Sequence, residues 1–200
     1  MFKYIFFTFV IIAAVIFLKS YTNAQGLQEQ NADKTEDKTI KSKGKVLVIY
    51  YSLSGNTREI ALKIKEKTNA DLYEIKTETD YPSSPMVYLT AKKQLNPKNY
   101  PKLKLGPLPD FSNYDLIFIG GPVWWYTVPA PLLAFFEQTD FKGKTVVSFA
   151  THGGNYGKYF ENFQSKIKNA KVLRGLDFKK PLKTDPKILD AKISEWLNTI

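Results

Sequence analysis

Three short stretches of this chain carry residue types that could hold a ligand. The first is Ser52-Leu53-Ser54-Gly55-Asn56-Thr57, which joins the apolar run VLVIYY (46–51) to a segment where Ile60, Ala61 and Ile64 recur at helical spacing. Backbone N–H groups at a helix start are unpaired, and the helix dipole favours an anion there. The hydroxyls of Ser52, Ser54 and Thr57 add donors, Asn56 adds an amide, and Gly55 lets the backbone approach the ligand. This is a phosphate cradle without a lysine. It is neither GxxxxGK[ST] nor GxGxxG, which argues against nucleoside triphosphates and dinucleotides. The plainer alternative is that Ser54 or Asn56 only caps the helix.

The second stretch is Pro122-Val123-Trp124-Trp125-Tyr126-Thr127-Val128-Pro129, after the apolar run LIFIGG (116–121). Three successive aromatics are hard to bury together. They offer stacking walls to a flat ring at low entropic cost. The alternative is that one or more of them pack under the next helix. The third stretch is Thr151-His152-Gly153-Gly154-Asn155-Tyr156-Gly157, after TVVSFA (145–150). Adjacent glycines permit close backbone approach, so N–H groups can reach polar atoms on a ring edge. Against this stands a plain turn. His152 is a weak candidate proton relay; the other readings are contact through its backbone or ordering of the loop. No other catalytic side chain and no metal site is expected.

The elements that must position these loops follow from periodicity. Strands are expected at 46–51, 72–75, 116–121, 145–150 and 171–178. Helices are expected after the first loop, around Met86–Leu95, on Leu132, Leu133, Phe135 and Phe136, and on Tyr159, Phe160, Phe163 and Ile167. A last helix carries Ile188, Leu189, Ile193, Trp196 and Leu197, with Asp185 as cap and Pro186 at its first position. Alternating strands and helices imply an α/β fold: three layers, with a doubly wound five-stranded parallel sheet covered on both faces. Ligands in such folds bind beyond the carboxyl ends of the strands, where strand order reverses. The loops after strands 1, 3 and 4 are therefore the candidate site.

Composition narrows the chemistry. The chain has no cysteine and one histidine, which excludes disulfides, thiolate catalysis and cysteine-ligated clusters. Of the net charge of +10, Lys3 and Lys19 supply two, and residues 25–43 hold four lysines and four acids. The remaining +8 falls on residues 44–200. Such a surface suits an acidic protein partner or an anionic membrane surface. No basic cluster interleaves with stacking aromatics, so nucleic acid is not an expected partner.

Residues 1–24, MFKYIFFTFVIIAAVIFLKSYTNA, place one early lysine before an apolar run from Tyr4 to Leu18, with Thr22 and Ala24 spaced for cleavage. They read as a signal peptide or an N-terminal anchor, which puts the domain outside the cytoplasm or on a membrane. An anchor facing the cytoplasm is less favoured. Residues 25–43 are polar and aromatic-free, and read as a flexible linker.

The SxSGNT loop, the GxPxWWxxxP stretch from Gly120 to Pro129 and the ATHGG stretch from Ala150 to Gly154 together resemble the flavodoxin family, in the branch with a WW loop. The resemblance covers about 155 residues, from strand 1 to the last helix. It implies a flavodoxin-like sheet of order 2-1-3-4-5 and non-covalently bound flavin mononucleotide (FMN). It places Ser52, Ser54, Gly55, Asn56 and Thr57 at the phosphate. Pro122, Val123, Trp124, Trp125 and Tyr126, with Thr151, His152, Gly153 and Gly154, would surround the ring. The function implied is electron transfer to a redox partner protein. The alternatives are an FMN-dependent NAD(P)H:quinone-type reductase and a non-catalytic, flavin-free binding domain. Flavodoxins are typically acidic and cytoplasmic, whereas this domain is basic and preceded by a signal-like segment. A less reducing flavin is expected if part of the +8 lies near the ring.

Overall fold

The computed structural model describes residues 44–82 and 84–200. The expected signal or anchor segment (1–24) and the linker (25–43) lie outside the described residues.

Five strands form one parallel sheet: β1 (Val46–Tyr50), β2 (Asp71–Glu74), β3 (Leu116–Pro122), β4 (Lys144–His152) and β5 (Ala170–Lys179). Their order is β2-β1-β3-β4-β5, as the family resemblance implied. The helices between and after them are α1 (Asn56–Thr68), α2 (Met86–Lys93), α3 (Ala130–Glu137), α4 (Tyr159–Lys166) and α5 (Pro186–Asn198).

Side chains alternate across the pleat, so each central strand feeds two cores. Leu47 and Ile49 of β1 face one cluster with Ile117, Ile119 and Val146, closed by Leu132, Phe135 and Phe136 of α3 and by Tyr159 and Phe163 of α4. Val46 and Val48 face the other with Leu116, Phe118 and Phe149, closed by Ile60 and Ile64 of α1 and by Ile193 and Trp196 of α5. Burying each such aliphatic side chain stabilises the fold by about 1.5–3 kcal/mol. Both faces are apolar, which is why the strands read as continuous runs rather than alternating ones.

α5 opens as the sequence predicts: Asp185 accepts a hydrogen bond from Lys187 N–H at 2.8 Å, and Pro186 is the first helical residue. One expected core position differs. Ile188 is 64 % exposed, because the buried stripe of α5 runs through Leu189, Ile193, Trp196 and Leu197, and a residue next to Leu189 is turned about 100° away from it.

The chain leaves β1 for β2 on one side and returns to β3 on the other. The loops after β1 and β3 therefore part, and a crevice opens between them at the carboxyl rim. Gly120 and Gly121 sit in β3 at this point. A Cβ on Gly120 would overlap the Phe149 ring, so glycine there lets that ring fill the core.

Candidate functional site

The rim crevice is a cleft of about 630 Å³, within the range of about 300–1,000 Å³ common for small-molecule sites. All three predicted loops meet in it. Thr57 of α1 and Thr151 of β4 share a buried hydroxyl–hydroxyl hydrogen bond of 2.8 Å, joining the first loop to the third. Val123 N–H donates to Thr151 C=O at 2.8 Å, joining the second to the third.

The first loop enters α1 through Gly55, whose φ of 85° lies in the left-handed region that favours glycine. Neither Ser54 nor Asn56 caps the helix, since no side-chain cap bond is made there. Asn56 Nδ2 instead donates to Ser54 Oγ at 3.0 Å, and Ser52 Oγ accepts from Arg58 N–H at 3.2 Å. Among the described residues the N–H groups of Ser54, Gly55, Asn56 and Thr57 donate to no protein acceptor. Four free donors at a helix start, with the Ser54 hydroxyl beside them, fit a phosphate. Ser54 and Asn56 line the cleft. Ser52, Gly55 and Thr57 do not line it: Ser52 is half-buried, Gly55 forms the turn into α1, and Thr57 is buried at 1 % exposure.

In the second loop Trp124 and Thr127 exchange two backbone hydrogen bonds of 3.1 Å, enclosing a two-residue turn. Its central residues, Trp125 and Tyr126, have φ of 52° and 63°. That is the sign pattern of a type I′ turn, normally filled by Asn or Gly. The three aromatics divide. Trp124 is half-buried and packs edge-on against Tyr51 and Tyr81, with ring centroids 5.6 and 4.8 Å away. Trp125 and Tyr126 stay exposed at 41 % and 62 %. Trp125 Nε1 donates to Tyr88 C=O at 2.9 Å, and Lys92 Nζ lies 5.0 Å from the Trp125 ring centroid. Pro122, Val123 and all three aromatics line the cleft.

In the third loop Thr151, His152, Gly153 and Gly154 also line the cleft. The N–H groups of Gly153 and Gly154 have no protein acceptor among the described residues, which suits the carbonyls of a ring edge. The His152 side chain is only 5 % exposed. Its Nε2 pairs with Asp177 of β5 at 2.9 Å, and its buried Nδ1 has no partner. The Tyr156 ring stands edge-on to it at 6.2 Å. The Nε2–Asp177 pairing ties the third loop to β5. Tyr51 and Tyr81, behind Trp124, have phenol pKa values pushed well above the ordinary range by burial.

Leu53 and Asn155 of the lining belong to the predicted loops, whereas Val87, Tyr88, Ala91 and Lys180 come from outside them, as does Asp177 beside His152. Val87, Tyr88 and Ala91 come from α2, inside a long connection whose destination no local pattern reveals. Lys180 was reachable by reasoning. It follows β5, and every strand of a parallel sheet ends at the same rim.

A doubly wound parallel sheet with an anion cradle and aromatic walls at its switch point defines a mononucleotide-binding α/β protein. The chain belongs to the flavodoxin family, whose model matches residues 45–200. A flavoprotein from Lactobacillus acidophilus, solved in complex with FMN, is 28 % identical over 77 % of this chain and 99 % of its own, with a TM-score of 0.64. A protein from Bacteroides eggerthii, provisionally assigned as a flavoprotein, is 31 % identical over 78 % of this chain and 97 % of its own, with a TM-score of 0.66. One from Bacteroides uniformis with the same provisional assignment is 26 % identical over 76 % and 99 %, with a TM-score of 0.65. No curated protein matches the chain.

Proposed function

We propose that this domain binds FMN in the rim cleft and serves as an electron carrier. The observation that carries the reading is the convergence of the three loops, tied by the Thr57–Thr151 and Val123–Thr151 hydrogen bonds. The free N–H groups at 54–57 would take the phosphate. Trp125 and Tyr126 would wall the ring, and the N–H groups of Gly153 and Gly154 would meet its polar edge. Bound FMN supplies one- or two-electron redox chemistry. The protein would orient the ring between these loops and leave an edge at the cleft mouth open to a partner. Electrons would pass through that edge to a partner, for which the +8 of residues 44–200 favours an acidic docking face.

A second reading draws on α2. Val87, Tyr88 and Ala91 add an apolar wall to the cleft, and such a recess could admit a quinone-sized acceptor, as an FMN-dependent reductase requires. Purified protein decides between them. A carrier is yellow and does not oxidise NAD(P)H on its own. A reductase is yellow and turns over NAD(P)H with a quinone. Colourless protein that refuses added FMN refutes both and leaves the flavin-free binding domain.

We further propose that residues 1–24 direct the domain out of the cytoplasm or anchor it, with 25–43 as tether; a basic domain so placed would lie well against an anionic membrane surface. No helix among the described residues is long and apolar enough to cross a membrane. Fractionation of the full chain, with N-terminal sequencing of the mature protein, tests the assignment; intact Met1 on a soluble cytoplasmic protein would refute it.

A further inference from the structure

The phosphate cradle has no cation in its own loop, but one is brought to it from the far side of the sheet. Lys180, the first residue after β5, lines the same cleft as Ser54 and Asn56. Its backbone is left-handed, with φ 45° and ψ 56°, directly before Pro181. A non-glycine residue held there is strained and persists only where its surroundings impose it. They do so here. Lys180 N–H donates to His152 C=O at 2.9 Å, and Lys180 C=O accepts from Lys183 N–H at 2.8 Å and from Thr184 Oγ1 at 3.2 Å.

The same turn reaches the cradle. Leu182 N–H donates to Asn56 Oδ1 at 3.4 Å, and a Cβ built on Gly55 would lie 3.6 Å from Leu182 Cδ1. The Lys180 side chain runs past the third loop, its Cε 4.0 Å from where a Gly153 Cβ would stand. Among the described residues no carboxylate pairs with Lys180, and none lines the cleft. The ammonium group thus has no protein anion to satisfy it, while the adjacent cradle offers only neutral donors to a group of nearly two negative charges.

We propose that Lys180 is a phosphate-binding residue that makes this cleft select phosphorylated flavin over the unphosphorylated nucleoside-like form. The inference rests on the FMN reading above. Its geometry is unlike that of a lysine within a phosphate loop, because the charge arrives from β5 and is aimed by a strained turn.

The test compares FMN with riboflavin, which carries the same ring without the phosphate, by fluorescence titration of the apoprotein. Wild-type protein binds FMN more tightly, and the preference shrinks as salt rises from about 50 mM to about 500 mM, as an exposed charge pair requires. Lys180→Gln weakens FMN about tenfold and changes riboflavin less than about twofold, while Lys180→Arg retains most of the preference. Equal weakening of both ligands, or an undiminished preference in Lys180→Gln, overturns the proposal. So does a wild-type preference that ignores salt, which decides the matter even if Lys180→Gln does not fold. Wild-type protein that binds neither flavin defeats the FMN reading itself.

Discussion

Gly157 tests how rigidly the aromatic loop is held. Its φ is +54°, and a Cβ added there would overlap Tyr126, meeting the carbonyl oxygen at 2.7 Å and Cα at 2.9 Å. Those are backbone atoms, which no rotamer change can move. The segment is also bonded across, since Lys158 N–H donates to Tyr126 C=O at 2.8 Å and Asn162 Nδ2 to Thr127 Oγ1 at 2.6 Å. Gly157→Ala therefore incurs about 1–2 kcal/mol for the left-handed backbone and about 1–3 kcal/mol for the overlap, or about 2–5 kcal/mol together. With a urea m-value of about 2 kcal/mol/M, the unfolding midpoint should fall by roughly 1–2.5 M. Gly154→Ala is the control. A Cβ there meets nothing within 4 Å, so apoprotein stability should change by no more than about 0.5 kcal/mol. Yet the new methyl would stand where the ring edge is proposed to lie, so FMN titration should show weakened binding. The two variants thus separate in opposite assays. A Gly157→Ala protein within about 0.5 kcal/mol of wild type would refute the claim that this loop is locked to the Trp125–Tyr126 turn.

Three other outcomes are expected from the same geometry. Thr57→Val or Thr151→Val alone leaves one buried hydroxyl without a partner and should cost about 1–3 kcal/mol, whereas the double variant should lie close to wild type; additive losses in a double-mutant cycle would show that the 2.8 Å bond is not formed. Burial raises the phenol pKa of Tyr51, Tyr81 and Tyr159, so stability should be full below about pH 10, the unfolded value, and decline above it at up to about 1.4 kcal/mol per pH unit for each, with urea midpoints flat between pH 9 and about 12 as the contrary result. Because Lys180 is the formal charge on a cleft wall without carboxylates, the bound flavin should have a less negative midpoint potential than that of a flavodoxin with acidic ring walls, titrated beside it; an equal or lower potential would count against the electrostatic argument.

The sequence exposed the sheet and the three rim loops for one reason. Central strands buried on both faces must be apolar throughout, so LVIY and LIFIG stand out, and the loop leaving the carboxyl end of each such strand lies at the rim. It exposed less of the lining that reaches the cleft by tertiary routes. Tyr88 and Ala91 belong to a short helix within a proline-punctuated connection, and nothing local says that Trp125 Nε1 will bond to the Tyr88 carbonyl. Asp177 is one polar residue in a strand whose other residues are mostly half-buried, and only the β4–β5 pairing brings it to His152. The division of the aromatics was also hidden. Composition shows three rings, but the fold decides that Trp124 turns inward to Tyr51 and Tyr81 while its two neighbours remain outside.

Backbone strain links these details. Six non-glycine residues among those described have positive φ: Asn69, Trp125, Tyr126, Lys142, Asn169 and Lys180. Asn69 caps α1, and asparagine tolerates that conformation, as it does at Asn169. Of the four without that tolerance, Lys142 lies in the turn before β4, while Trp125, Tyr126 and Lys180 line the cleft. Their segments are fastened to the β4 end of the sheet, through Val123 N–H to Thr151 C=O and Lys180 N–H to His152 C=O. The two apolar cores that make the sheet stable thus allow strained turns at its rim. Those turns hold two aromatic rings and one ammonium group where a less strained backbone would point them elsewhere.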